Sequence, residues 1–127
     1  MSCKFCKKIS LLSMLGQKGE YLNKIKRQLP KNVSFKYLRK KNSPTIVKRR
    51  FLDNISYNKV LGVYKINDDA LTIAEEKLFV SKLRKLLASH DLIVVSDYGH
   101  GFISEKSSQI ICKNSKYLAV NAQINAA

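Results

Sequence analysis

The segment Ser96-Asp97-Tyr98-Gly99-His100-Gly101 places a carboxylate, a phenol and an imidazole between glycines that let backbone approach a ligand closely. A second cluster is cationic: in Pro44-Thr45-Ile46-Val47-Lys48-Arg49-Arg50, an extended chain points Lys48 and Arg50 the same way. They lie roughly 6.5 Å apart, close enough to grip one phosphate monoester, while Arg49 points away. A third set is made of amides, Asn121, Gln123 and Asn125, near the end of the chain. Cys3 and Cys6 have the spacing of a zinc half-site or a redox pair. Tetrahedral zinc needs two further ligands, and Cys112, His90 and His100 do not form a second close pair, so the thiols read as incidental and no metal site is expected.

Each cluster has a plainer reading. Asp97 is a favoured turn and cap residue without any ligand, and His100 can be a solvent-facing loop residue. Lys48 and Arg50 can belong to an edge strand whose charge deters sheet-to-sheet pairing.

The elements that must position these residues follow from periodicity. Ile9–Leu15 is a short apolar run closed by Gly16-Gln17-Lys18-Gly19, a buried strand and a turn. Tyr21, Leu22, Ile25 and Leu29 share one helical face, and Pro30 stops the helix. Val33, Phe35 and Tyr37 alternate with polar residues as a half-buried strand, followed by a basic turn at 40–44. Strands over 45–52 and 59–66, joined by Asp53–Asn58, predict a small antiparallel flap. Thr72 and Glu75 form a capping box ahead of the stripe Phe79, Leu83, Leu86 and Leu87. Asp91–Ser96 is a β-branched run of the kind covered on both faces, Ser104 caps a further helix, and 116–121 is a last strand. The order β-α-β-β-β-α-β-α-β predicts an α/β sandwich with a mainly parallel sheet and an inserted antiparallel flap. In such sheets ligands gather at the carboxyl ends of strands, where Asp97 and Asn121 fall.

The chain of 127 residues carries 24 Lys and Arg against 9 Asp and Glu, a net +15 with 45% hydrophobic residues. Its length allows one domain at most, and its apolar fraction is that of a globular one. The charge is uneven: residues 1–67 hold 17 basic and 2 acidic side chains, while residues 68–127 hold 7 of each. Such a balance raises small basic nucleic-acid binding as an alternative function. Against it, no nucleic-acid module is recognisable and the aromatics do not interleave with the basic residues as a stacking pattern. The absence of a long apolar run or a cleavable leader predicts a cytoplasmic chain with no membrane contact.

Ser43-Pro44-Thr45-Ile46-Val47-Lys48-Arg49-Arg50-Phe51-Leu52 and, after a long helix, Leu92-Ile93-Val94-Val95-Ser96-Asp97-Tyr98-Gly99-His100-Gly101 resemble the PfkB (ribokinase-like) carbohydrate kinases. The similarity is strongest to the heptose-7-phosphate kinase domain of bifunctional ADP-heptose synthases, and it runs from about Ile9 to the end. It implies a ribokinase-like α/β/α sandwich and ATP- and Mg2+-dependent phosphorylation of a sugar or sugar phosphate. Lys48 and Arg50 match the family's basic strand and would hold the substrate's phosphate. Asp97, Tyr98 and His100, with Asn121 and Asn125, would line the substrate and nucleotide cleft, none of them as the catalytic base.

The departures are as informative. The family's opening sugar-binding strand, its Gly-Gly-rich segment and its late Gly-x-Gly-Asp motif have no counterpart here. His100 replaces a Lys, and Asn121 an Asp. The resemblance therefore implies an incomplete kinase domain, inactive alone and with its ATP site mostly elsewhere. Strands short of neighbours and helices should then expose apolar surface, which predicts self-association.

Overall fold

The structure, a computed structural model, describes residues 6–123. Nine elements follow the expected order: β1 (Ile9–Gly16), α1 (Leu22–Gln28), β2 (Val33–Lys40), β3 (Val47–Leu52), β4 (Lys59–Lys65), α2 (Ile73–Leu87), β5 (Leu92–Asp97), α3 (Glu105–Asn114) and β6 (Tyr117–Ala122). The chain is thus a mixed α/β fold. β1 pairs with β2 and β5 with β6 in parallel, and β3 pairs with β4 antiparallel.

Among the described residues the strands form three two-stranded sheets, not the one mainly parallel sheet expected from the sequence. Strand type and order are set by local pattern, but joining the pairs would require β1 and β5 to exchange backbone hydrogen bonds. They flank a cleft instead.

The core lies on one side of the parallel pairs. Leu38 of β2, Phe79, Leu83 and Leu87 of α2, and Ile110 and Ile111 of α3 form its buried centre, with Leu12, Ile93, Val95 and Phe102 packed against it. Burying such side chains stabilises the fold by about 1.5–3 kcal/mol each. Phe79 and Phe102 meet at 4.5 Å between centroids.

The helices start where the sequence places their caps. Thr72 Oγ1 accepts from Glu75 N while the Glu75 carboxylate accepts from Thr72 N, and Ser104 and Ser107 form the same reciprocal pair at α3. Ser104 Oγ also donates to Glu76 Oε1, which joins the two helix starts. Helix α1 differs: it buries no residue and begins after Tyr21 in the left-handed region at φ 67.

β5 departs from the expectation of cover on both faces. Ile93 and Val95 face the core, whereas Leu92 and Val94 are 54% and 66% exposed on the open side, and β6 is exposed along its whole length. The physical reason is supply: α2 and α3 cover one face, and no described helix covers the other.

The predicted basic turn is also corrected. Lys40 is the last residue of β2 and is buried, so the turn proper begins at Lys41. Gly16 lies so close to the crossing chain that a Cβ there would sit 2.1 Å from Thr45 N, and Gly16 N donates to Thr45 Oγ1. No described helix is long and apolar enough to cross a membrane.

Candidate functional site

The carboxyl end of β5 turns sharply because two glycines, Gly99 and Gly101, adopt positive φ of 68° and 69°. Asp97 Oδ1 accepts from Gly99 N at 3.0 Å, the turn-forming role open to it from sequence. Gly101 has a second constraint. A Cβ there would lie 2.3 Å from the Asp69 carbonyl and 2.7 Å from that of Asp68.

The segment 67–69 therefore packs directly on the turn, and it fixes His100. His100 Nδ1 lies 2.7 Å from Asp68 Oδ1, leaving the imidazole 11% exposed rather than solvent-facing. With Nδ1–H donating to the carboxylate, Nε2 carries the lone pair in the neutral ring, and that atom is buried with no hydrogen-bond partner among the described residues.

Lys40 holds segment 67–69 from below. Its ammonium donates to Asn67 O at 3.2 Å, to Asn67 Oδ1 at 3.1 Å and to Asp69 O. The next residue, Lys41, donates its backbone N–H to Glu75 Oε1 at 2.7 Å. Burial would push the Glu75 carboxyl up. The hydrogen bonds from Lys41 and Thr72 and the nearby Lys40 charge outweigh it, so the carboxyl sits below its ordinary range.

A cavity of about 350 Å³ opens at this end of the fold, lined by Ser13 and Leu15 of β1, by Thr45 and Ile46, and by Asp97, Tyr98 and His100. The hairpin β3–β4 joins it through Lys48, whose Nζ lies 5.8 Å from the Tyr98 ring centroid and 6.0 Å from that of Tyr64. Lys48, Arg50 and Tyr64 share this face of the hairpin, since Lys48 opposes Tyr64 and Arg50 stands two residues on. Lys59 donates to the Tyr64 hydroxyl at 3.3 Å, and this bond, with the Lys59 and Arg50 charges, lowers the phenol's pKa.

The structure therefore brings Lys48, Asp97, Tyr98 and His100 together, with Arg50 farther along the same hairpin face. It does not bring in Asn121, which lies in β6 opposite Ser96 and outside the cavity lining. Asn125 lies outside the described residues. Lys40 and Asp68 are site-supporting residues that sequence reasoning missed. Their partners lie 27–32 positions away, and no local spacing signals such bonds.

The cavity's donors do not by themselves make a metal site. Asp97 is the one carboxylate of the lining, one of its oxygens accepts from Gly99, and no described cluster of three or more ligating side chains exists. No protein-family model matches the chain, and no curated protein matches it.

Proposed function

We propose that the chain is the sugar-phosphate-holding part of a ribokinase-like carbohydrate kinase fold, with Lys48 and Arg50 as the phosphate grip. The observation that carries this reading is the position of Lys48 Nζ over Tyr98, which joins the basic hairpin to the turn after β5 at one cavity. The cavity volume suits a sugar phosphate, and its polar lining supplies hydroxyl and carboxylate groups for sugar hydroxyls. Parallel strand pairs with a projecting antiparallel hairpin agree with the resemblance read from the two motifs.

ATP and Mg2+ belong to the reaction that the resemblance implies, transfer of a phosphoryl group to a sugar hydroxyl. Asp97 is the one carboxylate of the cavity lining, and the role assigned to this chain is binding and orientation of the acceptor. The Lys48 ammonium and Arg50 guanidinium neutralise the substrate's existing phosphate, and Tyr98 packs beside it.

Titration with glucose 6-phosphate as probe, against glucose, tests the reading by calorimetry. Loss of a charge-assisted phosphate bond costs about 1.5–3 kcal/mol, so Lys48→Ala and Arg50→Ala should each weaken binding by about 10- to 150-fold. Equal binding of glucose, or unchanged affinity in both variants, refutes it.

A second reading rests on the hairpin. Tyr64 is exposed beside Lys48, Arg50 and Lys59 on one face, where an aromatic ring among cations suits a stacked base and the phosphates of a single-stranded nucleic acid. A steep fall in oligonucleotide affinity with salt, without sugar-phosphate binding, would favour it.

A further inference from the structure

Tyr64 stands directly across from Lys48 in the hairpin register, on the face that also carries Arg50. Its ring leans back along β4 over Gly62, where a Cβ would lie 2.8 Å from the Tyr64 hydroxyl and 3.0 Å from the carbon bearing it. Gly62 is the residue opposite Arg50, so its missing side chain brings the phenol oxygen to the Arg50 position of the face. Cross-strand partners on one face hold their Cβ atoms roughly 4.5–5.5 Å apart, well within the reach of an Arg side chain. A glycine inside a strand marks such a place, where another group must approach closely.

The strand irregularity between Phe51 and Leu52 adds Lys59 to the same face. Leu61 pairs with Phe51 but Lys59 pairs with Leu52, so Lys59 takes the place that Val60 would hold in an unbroken ladder. Its Nζ lies 3.3 Å from the Tyr64 hydroxyl and 5.8 Å from the ring centroid, which puts the ammonium beyond the hydroxyl and not over the ring. Ammonium and guanidinium groups donate hydrogen bonds and accept none. The Tyr64 oxygen therefore accepts from Lys59, and its own proton is left among Lys59, Arg50 and Lys48, none of which accepts it.

We propose that Tyr64 is the third ligand of the substrate's phosphate, a neutral O–H donor that Lys59 polarises and for which Gly62 makes room. The inference rests on Lys48 and Arg50 as the phosphate grip and narrows the ligand that grip takes. A phosphate monoester has three terminal oxygens, one each for the ammonium, the guanidinium and the phenol, whereas the carboxylate of a sugar acid has two. The groups facing the phenol are Lys48, Arg50 and Lys59 of the hairpin and, across Lys48, Tyr98 of the turn after β5. The Lys59 bond and charge, with Arg50, hold the phenol below its ordinary range. A bound phosphate dianion offsets those cations and accepts from the neutral O–H, so it should return the phenol to higher pH. Phosphate affinity should fall as pH rises through the titration of the free phenol.

Calorimetry with glucose 6-phosphate on the full chain tests this, together with ultraviolet titration of phenolate absorbance. Tyr64→Phe keeps the ring and should weaken binding by about tenfold or more. Gly62→Ala should weaken it similarly with little change in Tm, because the new methyl displaces only the tip of a flexible side chain. In the Tyr64→Phe background Gly62→Ala should add nothing. Glucuronate should bind the wild type about tenfold more weakly than glucose 6-phosphate, a preference that shrinks in Tyr64→Phe. The ionisation that disappears in Tyr64→Phe should move to higher pH when glucose 6-phosphate is added. Unchanged affinity in Tyr64→Phe while Lys48→Ala loses binding overturns this inference alone, as do additive losses in the double variant or an unmoved phenol titration. No binding by the wild type, or full affinity in both Lys48→Ala and Arg50→Ala, overturns it together with the reading on which it rests.

Discussion

Replacing Lys40 by Met keeps the volume of a buried side chain and removes its charge. Three bonds from a charged donor, at about 1.5–3 kcal/mol each, give a gross contribution of about 4–9 kcal/mol. Holding an ammonium away from water opposes this by several kcal/mol. Asp68 and Asp69 are exposed, so the carbonyl of Asp69 regains water once the Lys is gone, while Asn67 is half-buried and regains less. The net loss expected for Lys40→Met is about 2–3 kcal/mol, a 30- to 150-fold change in the folding equilibrium. For a chain of this size that lowers Tm by about 10 °C. Urea unfolding should show a lower midpoint with an unchanged slope. Lys41→Met is the control: its side chain is exposed, and the residue acts through a backbone N–H that the substitution keeps, so its effect should stay within about 0.5 kcal/mol. A second readout is the His100 ring resonance, which should shift only in Lys40→Met because segment 67–69 carries the Asp68 carboxylate. Equal stability of the two variants, or an unmoved His100 signal, refutes the assignment of Lys40 as the anchor of the turn.

Gly101→Ala should destabilise by about 2 kcal/mol or more in urea titration, because the residue combines φ of +69° with a Cβ placed 2.3 Å from the Asp69 carbonyl. Glu75→Gln keeps a capping acceptor but removes the charge that strengthens the bonds from Lys41 N and Thr72 N, and should lose about 1 kcal/mol at pH 7. Because the folded Glu75 pKa lies below its unfolded value, the contribution of its charge is present above the ordinary carboxylate range and is lost as pH falls through the depressed folded value. The stability gap between wild type and Glu75→Gln should therefore narrow as pH falls below the ordinary carboxylate range and through the lower folded value, and a constant gap would contradict the sign. The outer face of the hairpin, Phe51, Leu61 and Val63, should drive concentration-dependent association, and Leu61→Lys with Val63→Lys should restore a single slow species in sedimentation velocity without changing Tm.

The element order was legible in the sequence because it rests on local signals. Thr72 and Glu75 lie three residues apart, Pro30 follows α1, and Phe79, Leu83 and Leu87 repeat at helical spacing. The assembly of strand pairs was not legible, because period two marks β1 and β5 as strands without saying whether their edges meet. Lys40 shows the same limit at one residue. Among 24 basic side chains nothing local distinguishes it, yet it is 3% exposed and anchors a segment 27 positions away. The turn at 96–101 was half legible: its glycines signalled the bend and the Asp97 cap, while the carboxylate holding His100 came from a distant loop.

The two roots of the hairpin are held differently from its tip. Thr45 is clamped to Gly16 and Glu20, and Asn67 to Lys40, whereas Ile55 in the connecting loop is 91% exposed. Lengthening an exposed connection costs only about 0.6 kcal/mol per doubling of the loop. The 54–57 loop is thus the natural place to splice in a fluorophore tag or a short reporter peptide, which would ride on the hairpin while its base keeps register. The same insertion at 42–44, only a few residues away, would pull Thr45 off Gly16 and uncouple the hairpin from the rest of the chain.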